Sequence, residues 1–396
     1  MRIKPMQGPI GGSWKRYFRN DNHNDGILTM ATYFSCILAV VLLTFSGAAA
    51  AETTEYLITG NKPGLLHVLD MKQQKVVRSH RIPDAGRTVY SLTPSPDGQV
   101  VYAVTNRMKS ISGINVDTGE QVFRADFNEG DIRRQAFFAM DISRDGREIY
   151  VYQMSTRVLL SEYQQLPTRV AVYDTSAGLN AEPVRTFEAP RRIHMLMKST
   201  DDKWLYAMGF DIYKMDPMTG EIVETLPLRN WTLKNRSLPD VLDFWPLWDQ
   251  TDIFSTPVYS VRTDKAADDP SAYKTGLLTL DLKTGAYEIN DFEDTSVLIF
   301  STVVSPTKKH AFGTYTQLTK VDLETNTLAK RVDQDHTYYA VNVSADGSEV
   351  YVGGAACDIA TYETENLTKT GQINLPDACG DQSTATLRMI RRETLD

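Results

Sequence analysis

The residues best suited to chemistry in this chain are its histidines, cysteines and clustered tryptophans, and their spacing excludes most reaction centres before any fold is considered. His67, His80, His194, His310 and His336 each stand alone, without the close pairing of a metal site, so no metal-ligating residue is named. Only folding could gather them into a set. Cys-x-x-Cys-His does not occur, so no c-type haem is attached covalently to this chain. His-Glu-x-x-His, Gly-x-Ser-x-Gly, phosphate-loop and dinucleotide patterns do not occur either, and no catalytic residue is assigned. What remains is aromatic. Trp231, Trp245 and Trp248 fall within 18 residues of one another, beside Phe244. Such a cluster can wall a cavity or meet a partner, because Trp and Tyr dominate interface hot spots, or it can pack as a satellite core under a long loop.

Charge and length set the background. The 396 residues are 42% hydrophobic with a formal charge of -8, so a basic footprint for nucleic acid is missing. Residues 1–51 carry five basic residues (Arg2, Lys4, Lys15, Arg16, Arg19) against Asp21 and Asp25, leaving the remainder at -11. No charge occurs from Ile27 to Ala51, an apolar core runs from Cys36 to Leu43, and Ala49–Ala51 supplies small residues. This predicts a signal peptide over 1–51, a mature chain from near Glu52 and a periplasmic location, with an uncleaved anchor as the alternative. A start at Met30 would delete every basic residue ahead of the apolar core. Removal of Cys36 with the leader leaves Cys357 and Cys379 in an oxidising compartment. Either they form a disulfide, whose loop stabilises by roughly 3 kcal/mol in the chain-entropy model, or they are two free buried thiols.

The elements that must position these residues are repeats. Ser95-Pro-Asp-Gly, Ser143-Arg-Asp-Gly and Ser344-Ala-Asp-Gly each precede a strand ending near a tyrosine, with weaker copies at Ser199 and Ser305 and a doubtful one at Leu247–Phe254. A second turn, often Thr-Gly, follows an acidic residue: Asp70, Asp117, Asp174, Asp216, Asp281, Asp322 and Glu363. These seven are structural, since Asp accepts hydrogen bonds from amides two or three positions on, while Gly supplies a positive φ. Their gaps are 47, 57, 42, 65, 41 and 41 residues, close to the ~40 to 50 of a four-stranded propeller blade. The strands alternate with period two, as in the Val100–Thr105 text Val-Val-Tyr-Ala-Val-Thr. The expectation is an all-β, seven-bladed β-propeller over residues 52–396, with antiparallel four-stranded blades. Thr54–Ile82 and 384–390 are both incomplete, so one mixed blade should pair the N- and C-terminal strands and close the ring.

The two wide gaps locate insertions, and insertions in repeat proteins gather on binding faces. The larger, Leu228–Tyr259, holds the aromatic cluster. The shorter, near Val158–Arg169, contains Glu162 and Tyr163 and reads as a longer hairpin. Basic pairs at Arg133–Arg134, Arg191–Arg192 and Arg391–Arg392 suit either carboxylates of a partner or a solvated surface.

The exported leader, the segment Glu55–Asp70, the Tyr-Ala-Val-Thr-Asn at 102–106 that is shared widely among bacterial propellers (YVTN-like repeats), the Trp-rich insertion and the late cysteine pair resemble the beta subunit of quinohemoprotein amine dehydrogenase. The resemblance spans 52–396. It implies a periplasmic heterotrimer that oxidatively deaminates primary amines to aldehyde and ammonia. The partners would be a small gamma subunit bearing cysteine tryptophylquinone and an alpha subunit with two c-type haems. This chain would be the non-catalytic scaffold, free of covalent cofactor, with no membrane contact after cleavage. From composition and loop length, Trp231, Phe244, Trp245 and Trp248 would wall the amine cavity at the subunit interface. A free-standing secreted binding or adhesion propeller and a lactonase-type propeller enzyme are the alternatives.

Overall fold

Each repeat folds into four antiparallel strands because its turns satisfy themselves locally. In a computed structural model that describes residues 53–86, 88–243, 245, 247–294, 297–376, 382 and 387–393, the Ser95, Ser143, Ser199 and Ser344 hydroxyls donate to the Asp two residues on, at 2.5, 2.7, 2.8 and 2.7 Å. Each hydroxyl also accepts the amide five residues on, at 2.9–3.0 Å. Ser305 uses Thr307 instead, at 3.0 Å. Gly98, Gly146 and Gly347 close these turns at φ +68° to +73°, and Asp202 and Lys308 adopt the same left-handed conformation in the copies without glycine. The expectation for residues 1–51 lies outside the described residues.

Seven sheets result, and in chain order they form blades 1 to 7. Blade 1 takes Thr53–Asn61, Leu65–Asp70 and Lys75–Arg81 from one end of the chain and its innermost strand, Arg388–Glu393, from the other. Tyr56 faces Ile390 and Leu57 faces Met389 in the antiparallel register. The expected seam between the two ends is thus the one observed. The innermost strands of blades 2 to 7 are Leu92–Pro94, Met140–Ile142, Met195–Lys198, Asp240–Val241, Ser301–Val304 and Ala340–Val343.

The core is divided among the spaces between sheets. Seven apolar layers each draw on two neighbouring blades: Val68 and Val101 join blades 1 and 2, Tyr102 and Ile149 blades 2 and 3, Tyr150 and Leu196 blades 3 and 4, and Phe254 and Met208 blades 4 and 5. Leu277 and Val304 join blades 5 and 6, Phe312 and Val341 blades 6 and 7, and Leu57 and Tyr351 complete the circle. Arg392 adds an ion pair to Asp117 of blade 2 at 2.8 Å.

The acidic turn residues mostly act as the sequence predicts. Asp216, Asp281 and Asp322 each accept the amides two and three positions on, Asp70 and Asp174 accept one each, and Glu363 accepts three. In blade 2 that acceptor is Asn115, which takes the Asp117 and Thr118 amides at 2.9 and 3.0 Å. Asp117 sits two residues later, where its carboxylate meets Arg392.

A chain truncated after Pro376 loses Leu387, Met389 and Ile390 from two apolar layers and leaves blade 1 with an open inner edge. Its stability should fall by at least about 4 kcal/mol, given 2–5 kcal/mol per large buried side chain. Urea unfolding checks this, and an unchanged midpoint would overturn the role assigned to the seam.

Candidate functional site

Residues at the start of the innermost strands are brought to one end of the central channel by the repeat itself. Tyr90, His194, Phe300 and Tyr339 occupy one equivalent position: each backbone N–H donates to the carbonyl 14 residues on, in Val104, Met208, Thr314 and Gly353. Phe138 of blade 3 stands at the corresponding place in its ladder, whereas in blade 5 that place falls ahead of Asp243. Among the described residues, this column places aromatic rings and one imidazole around the channel mouth, with the Asp243 carboxylate beside the imidazole.

Blade 5 departs from the pattern, because after Asp240–Val241 none of the described residues ahead of the Trp248–Asp252 turn belongs to a strand. Trp245 lies on that segment. Its ring stacks on Tyr339 of blade 7 at 5.8 Å and 26°, meets Phe300 of blade 6 edge-on at 5.4 Å, and reaches Phe138 of blade 3 at 6.3 Å. Blades 3 and 7 are not neighbours, so the indole must lie across the channel. Tyr315 extends the group, packing on Phe300 at 4.3 Å, and Phe137 packs on Phe138 at 4.1 Å. Trp245, Phe300, Tyr315 and Tyr339 are all half-buried, so part of their aromatic surface stays accessible at the mouth.

Beside these rings lies a polar group. The buried Asp243 carboxylate receives Arg229 at 3.1 Å and His194 Nε2 at 2.8 Å. Arg229 also donates to the Gly209 carbonyl at 2.6 Å, and His194 Nδ1 lies 3.1 Å from the Arg192 carbonyl. Both imidazole nitrogens therefore face oxygens, which fixes the ring plane. These side chains, with Arg192 and Phe210, line a cavity of about 230 Å³. Burial of Asp243 is tolerable because the Arg229 guanidinium pairs with it.

The opposite mouth is ionic. Arg388 pairs with Asp249 at 2.6 Å, donates to the Leu92 carbonyl at 2.9 Å and lies over the Trp248 ring. Asp141 accepts the Lys198 amide at 2.6 Å. Burial holds the Asp141 carboxyl above the usual carboxylate range, and the Arg144 and Arg388 charges offset this only in part.

The structure separates the four aromatic residues singled out in the sequence. Trp231 and Trp248 belong to the layer between blades 4 and 5; Trp231 donates its Nε1–H to the Ser237 carbonyl at 2.9 Å, and Trp248 packs on Phe254. Only Trp245 reaches the mouth, while Phe244 lies outside the described residues. Cys357 is disulfide-bonded, and Cys379 also lies outside the described residues. No group of three or more His, Cys, Asp or Glu with metal-binding placement occurs among the described residues. Phe137, Phe138, Asp243, Phe300, Tyr315 and Tyr339 were not singled out from the sequence, and His194 was named there only as an isolated histidine. Their common offset of five residues ahead of the first turn is visible in Phe138, His194, Phe300 and Tyr339 once the copies are aligned.

No protein-family model matches the chain, and no curated protein matches it in sequence. Among solved structures it is similar to Kuenenia stuttgartiensis hydrazine synthase, with 15% identity, a TM-score of 0.54, and coverage of 76% of this chain and 90% of that one. It is also similar to a functionally unknown protein from Desulfotomaculum acetoxidans DSM 771, at 10% identity and TM-score 0.51, covering 84% and 98%. Dihydro-heme d1 dehydrogenase NirN in complex with DHE is a looser match, at 14% identity and TM-score 0.48, covering 81% and 73%. At such identities the likeness shows the fold alone: a seven-bladed propeller scaffold.

Two measurements test these placements. Trp231→Ala should cost about 3–5 kcal/mol as a core truncation, whereas Trp245→Ala should cost under about 2 kcal/mol, compared by urea unfolding. For Asp141, a folded-state pKa above the unfolded one contributes stability that is present at low pH and lost as pH rises through the folded value. Asp141→Asn keeps the acceptor for Lys198, so its stability relative to wild type should climb as pH rises above about 4, the ordinary carboxylate range; a difference that is flat with pH would refute the assignment.

Proposed function

We propose that this chain is the propeller scaffold subunit of a periplasmic quinohemoprotein amine dehydrogenase, holding a quinone-bearing small subunit and a dihaem cytochrome subunit and walling part of the amine cavity with its aromatic mouth. The observation that carries the reading is the Trp245 indole laid across the channel among Phe138, Phe300 and Tyr339. Rings held by three different blades form a rigid, partly open apolar floor, and a partner seated on it would exclude water from the group it presents. The resemblance of residues 52–396 to the beta subunit of that family, with its late cysteines and Trp insertion, supports the same reading.

In this reading the small subunit's quinone and the large subunit's haems would supply the redox chemistry. This chain's residues act by position. The rings bind the apolar part of a primary amine or of the partner, and the disc supplies a base that does not deform when the cavity closes. Asp243 is held by Arg229 beside His194 near Trp245, so the polar group there is already matched within this chain and serves to fix that corner of the mouth.

Co-production with the small and dihaem subunits tests the proposal. The chain should copurify with a quinone-staining band and haem absorbance. Trp245→Ala should lower amine turnover or assembly at least tenfold without unfolding the chain. A folded chain that stays monomeric and brings neither quinone nor haem would favour a free-standing binding propeller instead.

A further inference from the structure

The second strand of blade 3, Glu148–Val158, is longer than the blade needs. Its pairing with Arg169–Asp174 ends at Gln153, and Met154–Val158 continues past the rim, flanked by Ile132–Gln135 on one side and Tyr163–Gln165 on the other. Gln135 is followed by Phe137 and Phe138, so this three-stranded finger leaves from the same rim as the aromatic mouth. Its surface is apolar: Met154, Val158, Leu159 and Tyr163 are exposed, and Leu160 at the tip is fully so. Isolated strands bearing such surface invite a covering partner.

The charges around it point to what that partner carries. Arg134 pairs with Glu129 at 3.1 Å and Arg157 with Asp131 at 3.4 Å. Arg133 and Arg191 instead donate to neutral acceptors, the Gly130 carbonyl at 2.7 Å and Gln165 Oε1 at 3.3 Å. At the root, Arg134 and Arg169 line a cavity of about 300 Å³ with Ser155, Thr168 and Glu188. Arg169 donates Nε–H to Gln153 at 2.9 Å, and Arg134 is buried with its Nε lacking an acceptor among the described residues. Burial, and next the neighbouring Arg134 charge, lower the Arg169 pKa. The lining sets two guanidiniums against the single carboxylate of Glu188, a local cationic excess in a chain of net charge -8.

We propose that the finger and its root cavity dock an acidic segment of a protein partner, with a carboxylate seated between Arg169 and Arg134 and apolar side chains packed on Leu159, Leu160 and Tyr163. Guanidinium forks match a carboxylate in two-point contact, which suits such a socket. The partner's identity rests on the scaffold reading above; the socket rests on its own geometry.

Hydrogen exchange on the chain alone and in its complex with the small and dihaem subunits decides the matter. Amides 154–165 should be protected in the complex, and Arg169→Gln and Leu160→Asp should each weaken assembly at least tenfold at low salt, with Arg169→Lys retaining more. Protection at the mouth with unchanged exchange in 154–165 and wild-type assembly by both variants overturns the finger and leaves the scaffold reading standing. If no complex forms at all, the scaffold reading falls, and titration with N-acetylglutamate judges the socket: binding abolished by Arg169→Gln supports it, and no binding overturns it. Free N-acetylglutamate binding without protection in the complex overturns protein docking in favour of a small carboxylate.

Discussion

Everything in this fold depends on the circle of apolar layers between blades. A single blade has two apolar faces and can bury neither alone, so each sheet is stable only between two neighbours. Six of the seven layers form between blades consecutive in sequence. The seventh needs both ends of the chain: the Leu57, Leu69 and Met71 of the first strands meet Tyr351 and Ile373 of blade 7 only in a sheet whose inner strand is Arg388–Glu393. The seam therefore converts an open stack with two raw faces into a ring with none.

A closed ring fixes more than stability. With every sheet wedged from both sides, the start of each innermost strand has little freedom, and residues at that place are held at set distances around the channel. This is how Phe138, Phe300 and Tyr339, drawn from distant parts of the sequence, come to share one indole. Preorganisation of this kind suits a site that must accept a second body without paying again in entropy. The same rigidity explains how the Asp243 carboxylate can stay buried, since Arg229 and His194 are anchored by backbone carbonyls as well as by the carboxylate itself.

The sequence displayed the parts of this structure that are made by local chemistry. Serine, aspartate and glycine turns write their geometry into four consecutive residues, so blade number, strand order and the mixed first blade were legible. Register within a turn was less so. Measured back from Gly220 and Gly285, the acceptor lies four residues earlier; the same offset from Gly119 gives Asn115, whereas attention to acidic residues alone selects Asp117. The aromatic insertion was legible as a cluster but not as a site. Trp231, Trp245 and Trp248 differ in which way an irregular segment turns them, and that direction is set by Phe254, Ser237 and the far blades rather than by the neighbours in sequence. Contact between Phe138 and Trp245 crosses the channel, so no local pattern could announce it.

Regular positions in such a ring are consumed by packing: residues of the inner strands fill the two neighbouring layers, and the turns are committed to their own hydrogen bonds. Specificity must then reside where the period fails. It fails twice on this rim, once where blade 5 lets its inner segment wander and lays Trp245 over the channel, and once where blade 3 runs five residues beyond its pairing and raises a finger with a cationic root. The two departures coincide with the 65- and 57-residue gaps, and both open toward the face on which the inner strands begin. Two irregularities that arose independently along the chain would fall on either face with equal ease. Their convergence on one face lets the rings and the finger meet the same occupant, as the proposed scaffold role would have it.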